Sequence, residues 1–211
     1  MNIAHKISEY NRERKWGLFQ KEIEIDEDIC VLDAGFSDKE YSGSDNFIEK
    51  HYPYPDKLTA LGVDIPVLFQ KRYPQVRVVQ YKGGVFPFRD KEFDVCWSNA
   101  VIEHVGSYNE QLQFLKEVLR VSKAAFITTP NKYFPFELHT RIPILHWLPK
   151  PMFDKILNVV GKKWAAGDYM YLLSIADMKK LLEKADISQY KIIRNKLLGF
   201  TMDFVVVLQG A

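Results

Sequence analysis

Six residues have types and positions that could do chemistry: Asp33, Asp64, Ser98, Asn99, His104 and His139. Asp64 closes the apolar run Leu58–Val63, and an acid at the tip of a buried strand can accept both hydroxyls of a ribose. Asp33 closes the run before it, and Gly35 follows at once. A strand that opens into a glycine turn lets backbone amides approach a ligand, since no side chain stands in the way. Ser98 and Asn99 end a third apolar run (Phe93, Val95, Trp97), and open α/β sheets bind ligands where buried strands stop. Unperturbed histidine titrates near neutrality. His104 and His139 are therefore candidate bases, although His104 could equally pack between a helix and the sheet.

Buried strands and amphipathic helices have to position these residues. Residues 28–36, 58–64, 76–81, 93–99 and 124–130 read as short apolar strands bounded by turns, as expected of a parallel sheet. Between them, Tyr108, Leu112, Leu115 and Leu119 mark one face of a helix over 108–121. A short helix is expected near 46–50, ended by Pro53 and Pro55. Another short helical piece covers 67–73. Ser174 with Asp177 three positions on predicts a capped helix over 174–185. The runs 190–197 and 200–209 around Gly199 read as an antiparallel pair. Residues 1–27 read as a polar helical cap anchored by Ile7, Tyr10, Trp16 and Phe19, or as a lid over a ligand. This alternation makes the chain an α/β protein with a Rossmann-like, mostly parallel sheet, an antiparallel last strand and helices on both faces. A single domain over 1–211 is expected.

Composition removes several functions. Hydrophobic residues make up 47% of the 211 and charged residues 27%, with a net charge of +2. So small a charge gives no argument for a nucleic-acid partner, and no basic run or RNA-binding signature appears. Cys30 and Cys96 sit in apolar runs and read as buried, reduced thiols, which fits a cytoplasmic protein and offers no metal site. The first sixteen residues carry charges throughout, so no signal peptide is expected. No stretch approaches the roughly 20 apolar residues of a membrane span.

The stretch Phe86 to His104, FPFRDKEFDVCWSNAVIEH, resembles the fourth-strand region of class I S-adenosylmethionine-dependent methyltransferases. There an aromatic-proline turn, a charged loop, an FD strand start and an EH pair follow in this order. The resemblance extends over roughly 28–131, and the closing strands fit it. It implies S-adenosylmethionine as cofactor, with Asp33, Gly35, Phe36 and Ser37 shaping the first loop. It further implies that Asp64 holds the ribose with Ile65 beside it, that Gly83 and Gly84 lie near the adenine, and that the backbone at Asn99 and Ala100 contacts the cofactor. The family's further glycines are replaced here by Ser37 and Lys39, and the usual acid near the adenine by Lys82. Two other readings stay open. One is a relative that keeps the fold without binding cofactor, and the other an NAD-dependent oxidoreductase, for which the three-glycine fingerprint is missing.

Residues 131–170 interrupt the alternation with aromatics and prolines, and with Tyr133, Glu137, His139 and His146. By resemblance this is a substrate or lid insertion, acting on a small-molecule, sugar or lipid-linked acceptor. Its part 142–164 mixes apolar anchors with Lys150, Lys155, Lys162 and Lys163, a pattern that suits either a helical cover or peripheral contact with a membrane.

Overall fold

The computed structural model describes residues 3–136 and 142–209. Seven strands form one sheet in the order β3-β2-β1-β4-β5-β7-β6. They are β1 (Val31–Ala34), β2 (Leu58–Gly62), β3 (Arg77–Gln80), β4 (Phe93–Asn99), β5 (Ser122–Pro130), β6 (Tyr190–Leu197) and β7 (Phe200–Leu208). β1 runs parallel to β2 and β4, β2 parallel to β3, and β6 antiparallel to β7. Every residue of β1 and β2 is buried, as expected of parallel strands covered on both faces. The expected α/β class and the antiparallel end are both present.

The helices are α1 (Ile3–Glu22), α2 (Phe47–His51), α3 (Val67–Arg72), α4 (Tyr108–Val121), α5 (Lys150–Val159) and α6 (Ile175–Lys184). The bounds of α4 match the expectation, but its buried face does not. Phe114, Leu115, Val118 and Val121 are buried, whereas Tyr108 is exposed. Apolar residues fill two neighbouring rows of this helix, and the row centred on Phe114 and Val118 is the one that packs. Likewise Trp16 and Phe19, not Tyr10, anchor α1; Tyr10 is exposed beneath the Arg14 guanidinium.

The chain falls into two compact units, one within 1–98, 118–126 and 209–211 and the other within 99–117 and 127–208. In the first, α1 closes an aromatic cluster. Trp97 of β4 stacks on Phe126 of β5 with ring centroids 5.2 Å apart, and Phe19 meets both edge-on at 5.0 and 5.3 Å. The FD pair and the preceding turn prove structural. Asp94 accepts from the Cys30 amide at 2.9 Å and from Lys123 at 2.7 Å, fixing the start of β1 against β4. Partial burial raises the Asp94 carboxyl, yet the Lys123 ammonium and the Cys30 amide together bring it below its ordinary value. Arg120 holds the Phe86-Pro87-Phe88 turn by donating to the Phe86 and Phe88 carbonyls and to Asp90. Cys96 is buried, but Cys30 is only half-buried; neither forms a disulfide.

In the second unit Ser174 and Asp177 form the expected capping box at the start of α6. β6 and β7 turn through Leu198 and Gly199, both at positive φ, which is the demand of a two-residue hairpin loop. α5 packs Phe153 and Leu157 with Ala165 and Met170 into a small core of its own. Its outer face remains in solvent.

Candidate functional site

The first unit carries the ends of β1, β2 and β3. After Asp33 the chain turns at Gly35, whose φ of 141° suits glycine and whose amide donates to the Leu61 carbonyl at 2.8 Å. The Phe36 ring is buried against Phe69 at 4.6 Å. It also covers Gly62, where an added Cβ would lie 2.7 Å from the ring. Phe36 is thus a core residue that leaves only its backbone for a ligand. Gly62 is required by this close approach.

Beyond Phe36 the loop is held by its own polar groups. Asn46, in the left-handed region at φ 46°, accepts from the Ser37 amide at 2.9 Å and donates to the Ser37 carbonyl at 2.8 Å. Asp38 donates its amide to Asp64 at 3.0 Å, and its carboxylate accepts from the Leu68 and Phe69 amides at the start of α3. Glu40 ties together Asn46, Tyr73, Lys50 and Arg72. These contacts replace the missing glycines: they fix a path that a glycine-rich loop would take through backbone freedom alone. The amides of Ser37 and Asp38 are therefore already engaged.

Asp33 is buried at the end of β1 and faces Glu49 of α2, which is buried as well. Neither Glu49 oxygen meets a hydrogen-bond donor among the described residues. The bond open to this pair is a shared proton. Burial pushes the Asp33 carboxyl up to about 6, offset in part by the Glu49 hydrogen bond and the Arg12 guanidinium of α1. Burial and the neighbouring Asp33 charge raise Glu49 well above the carboxylate range. In the sequence Glu49 is an ordinary-looking helical acid. The only signal that could have found it is its place in a helix immediately followed by two prolines, where little solvent-facing helix remains.

Asp64 lies two residues past β2 and is exposed. Among the described residues only its Oδ2 is engaged, by the Asp38 amide. Ile65 is exposed, as is Val85 after the β3 turn. Gly83 and Gly84 form that turn at φ 84° and 79°, and Lys82 is exposed beside them. Because β2 and β3 are parallel, these residues share one end of the sheet.

The second unit carries Asn99, Ala100, Glu103 and His104. Asn99 accepts from the Thr128 hydroxyl at 2.6 Å, and the Ala100 amide donates to the Thr128 carbonyl at 2.9 Å. Ala100 adopts φ 59°, a strained conformation for a residue with a Cβ. Glu103 and His104 lie in a short 3-10 turn over Ile102–His104 and not in the following helix. Glu103 is fully buried and accepts from Thr129 at 3.0 Å. His104 Nδ1 lies 2.8 Å from the Tyr169 carbonyl. A carbonyl can only accept, so Nδ1 holds the proton and Nε2 is the basic nitrogen. His139 and Glu137 lie outside the described residues.

Residues 51–125 match the family model described as a methyltransferase domain. This stretch of the chain is similar to a methyltransferase domain. Solved structures share this methyltransferase fold at low identity. A SAM-dependent methyltransferase from Aquifex aeolicus is 17% identical, with 92% of this chain and 88% of that one covered at a TM-score of 0.56. One from Thermotoga maritima is 11% identical, with 98% and 92% covered at 0.63. One from Mesorhizobium loti is 11% identical, with 92% and 96% covered at 0.61. No curated protein matches.

S-adenosylmethionine is the cofactor of these methyltransferases, and the residues of the first unit fit it. Asp64 has one carboxylate oxygen left for a ribose hydroxyl, and Ile65 and Val85 offer exposed apolar surface for a purine. The Asp33–Glu49 pair, both carboxyls buried, lies at the end of β1. The first loop contributes differently from a glycine-rich one, because its Ser37 and Asp38 amides are spent within the protein.

Proposed function

We propose that this chain is an S-adenosylmethionine-dependent methyltransferase that acts on a small-molecule, sugar or lipid-linked acceptor recognised by the aromatic segment 131–170. The observation that carries this reading is the exposure of Tyr133, Phe136, Trp147, Trp164 and Tyr169 within one short segment. Exposed aromatic side chains at such density suit an apolar or glycan-bearing ligand, as rings supply contact area at small entropic cost. When bound, the cofactor supplies an activated methyl group on a sulfonium. The protein must then align the acceptor, exclude water and take up a proton where the acceptor is a hydroxyl or amine. Asp64 would hold the ribose, and Gly35, Gly83 and Gly84 would let the backbone come close. His104, with its ring fixed by the Tyr169 carbonyl, would take the proton at Nε2. Among the described residues no helix is long and apolar enough to cross a membrane. The unpaired cysteines support a reducing, cytoplasmic setting.

Incubation of the protein with methyl-labelled S-adenosylmethionine and a cell extract, followed by organic–aqueous partition, tests the acceptor. Label is expected in a small polar or organic-soluble product, and His104→Gln should slow its formation about 100-fold while leaving donor binding intact. Label confined to protein or nucleic acid would contradict the reading.

A further inference from the structure

The outer face of α5 carries large apolar side chains in solvent. Helical residues are spaced by about 100°, which places Met152, Lys155 and Val159 together, opposite the buried Phe153 and Leu157. Met152 is 52% exposed and Val159 85%. The next turn, closed by Gly161 at φ 75°, adds Val160, Lys163 and Trp164, of which Trp164 is 55% exposed. Lys150 is taken by Asp154, whereas Lys155 and Lys163 pair with no acid among the described residues. From 142 to 166 the sequence has four lysines and the single acid Asp154. Large apolar side chains, an exposed tryptophan and two lysines without an acidic partner among the described residues thus lie exposed on α5 and the turn that follows it.

We propose that the face formed by Met152, Lys155, Val159, Val160, Lys163 and Trp164 docks on an anionic lipid bilayer. A short amphipathic helix of this kind lies in the plane of the interface with its apolar side chains sunk into the acyl boundary. Lysine stems run along that apolar surface and lift their charges to the headgroups, and tryptophan prefers the headgroup level. The excess of lysine matches the negative potential of a lipid surface. The same excess opposes a second copy of this chain, because two like faces would set lysine against lysine. The test of this contact reads no activity.

Sedimentation of the full chain with vesicles decides it. The protein is expected to pellet with vesicles rich in phosphatidylserine and to stay in solution with phosphatidylcholine alone, and added salt should release it. Lys155→Gln with Lys163→Gln should weaken binding about 25-fold, roughly fivefold per charge. Val159→Ser with Trp164→Ser should remove it while the circular dichroism spectrum and melting temperature stay unchanged, since both side chains are exposed. Equal binding to neutral vesicles, no binding to either kind, or full binding by the lysine double variant would overturn the proposal. So would a dimer in solution that the Val159→Ser, Trp164→Ser variant dissociates without any vesicle binding.

Discussion

Trp97→Ala is expected to lower stability by about 3–5 kcal/mol, the range for emptying a buried aromatic site. Trp97 is 2% exposed and lies at the centre of the cluster that joins α1 to the sheet. It stacks on Phe126 and takes the edges of Phe19 and Trp16, the latter at 6.1 Å. Its removal forfeits transfer free energy and three ring contacts, each worth about 0.5–1.5 kcal/mol in other proteins. The sheet limits collapse around the cavity, since neighbouring residues of β4 are fixed by register to β1. For a chain of this length the loss corresponds to a fall in Tm of roughly 10 °C. The urea midpoint should drop with little change in slope. Trp164→Ala, at an exposed site, should stay within about 0.5 kcal/mol. A loss under about 1 kcal/mol at Trp97 would mean that α1 is not docked as described.

Glu49→Gln should do the reverse and stabilise the protein at neutral pH. Asp33 is pushed up to about 6 and Glu49 is raised well above its ordinary value, in both cases chiefly by burial. A carboxyl raised in the folded state holds its proton more tightly there than in the unfolded chain. Its contribution is complete below the unfolded value near 4 and is lost as pH rises through the folded value. Wild-type stability should therefore increase as pH falls from about 8 to about 5. Below about pH 4 the trend reverses. Glu40, Asp94 and Asp177 have lowered values, and carboxylates of that kind lose their stabilising contacts as they protonate. The glutamine side chain would keep the volume of Glu49 and offer Asp33 an amide donor, and it has no proton to release. A gain on the order of 1–3 kcal/mol at about pH 7.5 is expected, with a flatter slope between about pH 5 and 8. Urea melts of both proteins across that range provide the test. A wild-type protein that becomes more stable as pH rises across that range, or a Glu49→Gln variant that is weaker than wild type at its upper end, would contradict the shared-proton pair.

What the sequence makes legible is the part governed by local pattern. The extent of α4 follows from its period, and the start of α6 from the Ser174–Asp177 box. The β6–β7 hairpin follows from two apolar runs around Gly199. Which row of α4 is buried did not follow, because apolar residues occupy two rows and tertiary packing chooses between them. The candidate site is legible at Asp64 and Gly35, where a residue type at a strand end carries the information. It is not legible at Glu49 or Asn46. Their partners Asp33 and Ser37 lie well back in the chain, and single polar contacts across an irregular loop leave no periodic trace. Lys39 illustrates the same point. It stands where a glycine would be expected, yet the loop keeps a defined path because the polar contacts of Asn46, Asp38 and Glu40 secure it. His104 is legible as a titratable residue beside a strand end. Its tautomer depends on Tyr169, 65 residues away.

The central claim is that the ends of β1 and β2 hold an adenosine cofactor despite the altered loop. Calorimetric titration with S-adenosylhomocysteine tests it most directly, using the wild-type protein, Asp64→Asn and Asp64→Ala. Asparagine can still accept from the Asp38 amide but has no carboxylate for the ribose. Wild type is predicted to bind at a single site. Asp64→Asn should weaken binding by about 10- to 100-fold, and Asp64→Ala should remove measurable heat without lowering the melting temperature appreciably. Wild-type protein that gives no binding heat, or Asp64 variants that bind as tightly as wild type, would contradict the account.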